Sequence, residues 1–168
     1  MGDYYPKSIQ IGGVLKKKDV KKFISGIKTA YLETDWAQSP DHPGIQNLDA
    51  LRKAVNNAGH LVLMNDQAGH RFEDFVELCT ELKLSFDVHR DPLYDCNADG
   101  ESVRWTKGQR KPFVFHYACD EGFVDRLIAS FHIESAIDLL TAGRPDMALA
   151  KLRECCPVIP PLPKFEVK

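Results

Sequence analysis

The sequence has no long apolar run: none, including Leu61-Val62-Leu63-Met64 and Phe113-Val114-Phe115, exceeds four residues. A membrane-spanning helix needs ~20, so none is expected and the chain reads as having no membrane partner. It also lacks a phosphate loop. Gly12-Gly13 follows a strand-like segment, but the third glycine and the lysine-serine pair that would cradle phosphates are lacking at the loop's spacing. The G-x-S-x-G elbow of α/β-hydrolases is missing too. These absences count against nucleotide-dependent and hydrolase chemistry, and no cofactor is expected. Cysteines are too few and too irregular for a disulfide framework: Cys79, Cys96, Cys119, Cys155 and Cys156 are odd in number and contain one vicinal pair. The first residues, Met1 to Lys7, show neither a basic start followed by an apolar stretch nor a small-residue cleavage site, so a cytoplasmic location is the expectation.

What is present suits one globular domain. The chain has 168 residues, 43% hydrophobic and 10% aromatic, enough for a real core but not for two independent ones. A single domain over residues 1–156 and a proline-rich extended tail over 157–168 are expected, the tail from Pro157, Pro160, Pro161 and Pro163. The formal charge of -2 conceals an asymmetry. Residues 1–34 carry seven lysines against Asp3, Asp19 and Glu33, a balance of +4, which leaves -6 for the remainder.

Periodicity predicts an α+β fold. Residues 8–15 alternate as a first strand, and Val20, Phe23, Ile24, Ile27 and Tyr31 form a helical stripe behind Asp19 as its cap. Gly26 weakens that helix by about 1 kcal/mol relative to Ala. A short helix over 47–58 ends at Gly59, and Leu61–Met64 reads as a strand covered on both faces, the candidate sheet centre. Phe72, Phe75, Val76, Cys79 and Leu82 predict a helix over 70–83, and Leu84, Phe86 and Val88 a half-buried strand. Strand, helix and strand make a βαβ-like unit. Residues 91–118 read as an antiparallel meander with turns at 97–100 and 106–112, giving a mixed sheet. A helix is expected over 120–131, with a kink near His132, and then a C-terminal helical hairpin turning at Ala142-Gly143-Arg144-Pro145. Residues 136–160 resemble a single tetratricopeptide unit at Gly143, Ala148, Leu152 and Pro160; no second unit precedes it, and a stack needs about three, so a plain hairpin is expected.

Several constellations carry weak chemical signals. Asp95, Asn97 and Asp99, with Gly100 at position six, match the opening of a calcium loop, but position twelve is Thr106 where a bidentate carboxylate is required. Ordinary hairpin hydrogen bonding explains the same letters, and no metal is expected. His89, Cys96, His116 and Cys119 are zinc-ligand types, yet only His116 and Cys119 have close spacing. Cys119 as a helix-start nucleophile with His116 as base, or Asp87, Asp91, His89 and Glu101 as an acid/base group, would make a small enzyme centred on 87–121.

Two segments suit anions. The first helix offers Lys18, Lys21, Lys22 and Lys28, and the 107–111 loop offers Lys107, Arg110 and Lys111 beside Trp105, a set fit for phosphate contact and base stacking. The overall pI of about 6.3 argues against a dedicated nucleic-acid domain. The reading favoured by the sequence is a non-catalytic cytoplasmic interaction or regulatory module that self-associates and contacts a protein partner. Nucleic-acid binding is the first alternative and the small enzyme the second.

Overall fold

The structure is a computed structural model that describes residues 7–34, 44–65, 70–90, 98–106, 108–120, 123–126, 130–155 and 159–168. The chain is α+β. Strand β1 (Lys7–Leu15) leads through a 3-10 turn at Lys17–Asp19 into α1 (Val20–Thr29), then α2 (Leu48–Lys53), β2 (Leu61–Asn65), α3 (His70–Glu81) and β3 (Ser85–Arg90). Strands β4 (Ala98–Arg104), β5 (Phe113–Asp120) and β6 (Phe123–Arg126) follow, then α4 (Ser130–Thr141), α5 (Pro145–Cys155) and β7 (Phe165–Val167). The sheet order is β2-β1-β3-β4-β5-β6, each neighbour antiparallel, with β7 parallel to β1. The mixed sheet, the meander and the C-terminal hairpin are all present.

Period-two alternation sorts the sheet into two faces. Ile9 and Ile11 of β1, Leu61 and Leu63 of β2, and Phe86 and Val88 of β3 are buried. They share a core with Phe23 and Ile27 of α1 and with Phe72, Phe75 and Cys79 of α3. The Phe23 and Phe75 rings lie 5.4 Å apart, a distance at which tilted aromatic pairs attract. Gly26 has a packing reason to stand inside α1: a Cβ there would sit 2.6 Å from Leu78 Cδ2 and 3.1 Å from Phe75. Its absence lets α1 settle onto α3.

The opposite face mixes Gln10, Asp87, Ser102 and Arg104 with Val62, Met64, Phe113 and Phe115, and it carries the chain's last residues. Arg104 Nε donates to the Pro160 carbonyl at 2.8 Å. His60 Nε2 donates to the Leu162 carbonyl at 3.1 Å. Because that carbonyl can only accept, Nε2 carries the proton and Nδ1 accepts from Gln10 Nε2 at 2.7 Å. Residues 159–164 lie extended across this face, and β7 then pairs with Gly13–Leu15, just past the Lys7–Ile11 stretch that β2 uses. Phe165 is buried in the main core, stacked 5.9 Å from Phe23. Gly12 makes this docking possible, since a Cβ there would fall 1.9 Å from the Pro163 carbonyl oxygen.

The structure corrects the sequence reading in several places. Strand β2 flanks the sheet where a central strand was expected, and β1 lies between it and β3. Apolar content reports coverage of a strand's faces and not its rank in the hydrogen-bonding order; the far edge of β2 is met by a bridge from Glu33 to Met64. Strands β2 and β3 do run parallel across α3, but with β1 between them the βαβ-like unit is split. Ala98, Asp99 and Gly100 belong to β4 and not to a turn, with Asp99 opposite Arg90 and Gly100 opposite His89. The helix expected over 120–131 is replaced by the end of β5 and by β6, with Asp120 paired to Phe123. Helix α4 is continuous through His132, so the shift of apolar stripe there marks a strand-to-helix change and not a kink. Helix α2 stops at Lys53, and Val55 bridges Leu61 instead of continuing the helix. Asp19 stands at the head of α1 without capping through its side chain, because it continues the 3-10 turn with helical dihedrals and not the extended ones of an N-cap.

Candidate interaction surfaces

Register places the described acid/base candidates on opposite faces of the sheet. On β3, Asp87 and His89 point to the face away from the helices, and across from them lie Ser102 and Gly100. Glu101 is opposite Val88 and His116, so it belongs to the helix-bearing face with them. Asp87 is committed elsewhere: it accepts from Ser102 Oγ and from Arg104, whose Nη2 approaches its Oδ1 at 2.7 Å. Arg104 is 5% exposed and also donates to the Phe86 and Val103 carbonyls, so its charge is fully used in holding β3, β4 and the C-terminal segment together. His116 is largely exposed, with Nδ1 3.8 Å from Glu101. His89 is half-buried on the other face. The two histidines are therefore separated by the sheet, and no acid among the described residues faces both. Cys119 lies on β5, opposite Ala98. Asp91, Asp95, Cys96 and Asn97 lie outside the described residues, and Asp99 is 3.7 Å from Arg90. Among the described residues no group of three His, Cys, Asp or Glu could hold a metal ion.

The helix-bearing face of β4 and β5 is open beyond α3. There a groove of about 810 Å³ runs between Glu73, Glu77 and Glu81 of α3 and the Arg110-Lys111-Pro112 end of the β4–β5 connection. Glu73 anchors one end, accepting from Lys7 Nζ at 2.9 Å and from Arg90 Nη2 at 3.0 Å. Burial pushes the Glu73 carboxyl up, but these two hydrogen bonds and charges outweigh it and hold the group below the usual carboxylate range. At the other end Lys83 stands 5.6 Å from the Trp105 ring centroid. Trp105 is thus half-buried in the groove wall, and Lys107 lies outside the described residues.

The first helix divides its lysines. Lys22 reaches across to Glu81 of α3 at 2.6 Å. Lys21 and Lys28, joined by Lys17, instead line a second groove of about 630 Å³ between α1 and α2, over Val20, Ile24 and Leu48. Lys18 is exposed. The two basic segments expected to cooperate in nucleic-acid binding are therefore set on either side of α3, whose Glu73, Glu77 and Glu81 stand between them. The sequence shows Lys21 and Lys28 on the first helix with Lys17 just before it, but not the apolar floor between them, because the floor is completed by Leu48 from a different helix.

Among the described residues the C-terminal hairpin has the largest run of exposed apolar side chains. Helices α4 and α5 close on each other through Ala136 and Ala148, 3% and 1% exposed, which lie outside the main core cluster. Small residues at the contact let the helices approach closely and leave the larger ones outside. Ile133, Ile137 and Leu140 of α4 are 45%, 55% and 54% exposed, and Met147 and Leu149 of α5 are exposed as well. The stripe thus lies open to water on the outside of the hairpin. No described helix is long and apolar enough to cross a membrane. Comparison with protein-family profiles, with curated proteins and with solved structures finds no match to this chain.

Proposed function

We propose that the chain is a non-catalytic interaction module that self-associates through the outer face of the α4–α5 hairpin and works in the cytoplasm. One observation carries the reading: Ile133, Ile137 and Leu140, at spacings of four and three, form one helical stripe left about half exposed. Fully burying such a side chain is worth about 1.5–3 kcal/mol, so each leaves roughly 1 kcal/mol to be gained by cover. Contiguous exposed apolar surface on a soluble domain marks a contact site. A second copy is the simplest cover, because a two-fold axis brings the stripe against itself. The buried free thiol of Cys79 accords with a reducing compartment.

Sedimentation velocity over a micromolar concentration series tests the reading. The parent chain is expected to sediment as a dimer at the upper end of the series, and Ile137→Asp as a monomer with unchanged circular dichroism. A parent chain that stays monomeric throughout, or a variant that dimerises equally well, overturns it.

A further inference from the structure

We infer that the groove between α1 and α2 is a docking site for an acidic peptide segment with an aliphatic centre. The groove is lined by Lys17, Lys21 and Lys28, and none of the three has an acidic partner among the described residues. Lys22 of the same helix, by contrast, is satisfied by Glu81 at 2.6 Å. No acid is among the described lining residues; of the two that adjoin them in sequence, Asp49 lies 3.8 Å from Arg52 and Asp19 stands half-buried in the 3-10 turn. The floor is Val20, Ile24 and Leu48. A ligand for this site must therefore bring negative charge at its edges and apolar surface at its middle.

Two features choose a peptide over other anions. At ~1.5 Å of rise per helical residue, Lys21 and Lys28 stand about 10 Å apart along α1, so one phosphate or carboxylate does not engage both without folding their side chains inward. An extended segment with acids on either side of its apolar residues spans that distance. The described lining also contains no aromatic ring, so it offers nothing on which a base could stack, whereas aliphatic side chains fit an aliphatic floor. The groove is on α1 and α2, and the stripe proposed for self-association is on α4, so the two readings stand or fall separately.

The test is a titration of the full chain with a short fluorescent peptide whose Leu-Leu centre is flanked on each side by Glu-Glu, followed by anisotropy. Saturable binding is expected. It should weaken at least about tenfold in Lys21→Glu/Lys28→Glu, about as much when the leucines of the peptide are replaced by serine, and progressively with added salt. Circular dichroism and sedimentation of the variant should match the parent. Failure to saturate, or equal affinity of variant and parent, overturns the assignment. So does tighter lysine-dependent binding of a single-stranded oligonucleotide, which would give the groove to nucleic acid.

Discussion

The guanidinium of Arg104 binds the backbone carbonyl of Pro160 and the carboxylate of Asp87 at the same time, at 2.8 Å through Nε and 2.7 Å through Nη2. One buried charge thus fastens the chain's last segment to the middle of the sheet. Arg104→Met should leave Asp87 with only Ser102 and free the Pro160 carbonyl. Asp87 retains partial exposure, so the expected loss is about 2–3 kcal/mol, less than for a fully buried pair. Urea denaturation measures it. Hydrogen exchange at Phe165 and Lys168, whose amides bond Gly59 and Leu15, should accelerate ahead of the core strands.

Two glycine-to-alanine changes should part company. At Gly12 the new methyl would meet a backbone oxygen at 1.9 Å, so Gly12→Ala is expected to expel the segment around Pro163 and cost about 3 kcal/mol or more. At Gly26 the obstacles are the tip of Leu78, which can turn, and the Phe75 ring at 3.1 Å, which must shift by a few tenths of an ångström, while Ala gains helix propensity of about 1 kcal/mol over Gly. Gly26→Ala should therefore lie within about 1 kcal/mol of the parent. Thermal melts of the two variants side by side decide the point.

Phe165 contributes the aromatic that links β7 to Phe23. Phe165→Ala should cost about 3–4 kcal/mol by opening a cavity against Phe23. Equal stability of this variant and the parent in denaturant would show that the segment does not share the core.

The Glu73 carboxyl, held below its ordinary value by Arg90 and Lys7, links stability to acid. A depressed folded value contributes stability that is present above the unfolded value, near 4.5, and lost as the pH falls through the folded one. Glu73→Gln should therefore flatten the stability profile below about pH 4.5. At neutral pH, with the side chain 41% exposed and screened, its cost should be on the order of 0.5–1 kcal/mol. Denaturation at a series of pH values reads both.

Burial pushes the Cys79 thiol far up, so it should resist iodoacetamide in the native state and react only after unfolding. Peptide mapping after timed alkylation identifies the residue. Early modification of Cys79 would contradict the packing of α3 on the sheet.

Local spacing made most of the elements legible. The stripe of Val20, Phe23, Ile24 and Ile27 and that of Phe72, Phe75, Val76 and Cys79 lie in α1 and α3 with those residues buried, because a helix face is decided within a few turns. Relations that span the chain were not legible. Nothing near Leu61 says that β1 will lie between it and Phe86, and nothing near Pro163 says that Gly12 will receive its carbonyl. Helical spacing from Val124 onward favoured a helix over 120–131, yet Phe123 and Val124 are strand-forming residues and pair with Asp120 and Cys119. The hairpin stripe shows a different limit. Spacing reveals that a helix has an apolar face, but whether anything covers Ile137 depends on the shape of the whole molecule.

The pairing of Gly13 with Phe165 joins residues about 150 apart in sequence. Such a contact cannot form until nearly all the chain between is compact, because closing so long a loop is entropically costly and is repaid only by native neighbours. Until then the Gly13–Leu15 stretch of β1 presents unpaired backbone at a strand edge. During refolding, or on a chain still being synthesised, that edge is a template for pairing with other molecules. Refolding yield should accordingly fall with protein concentration more steeply than the small size of the domain suggests.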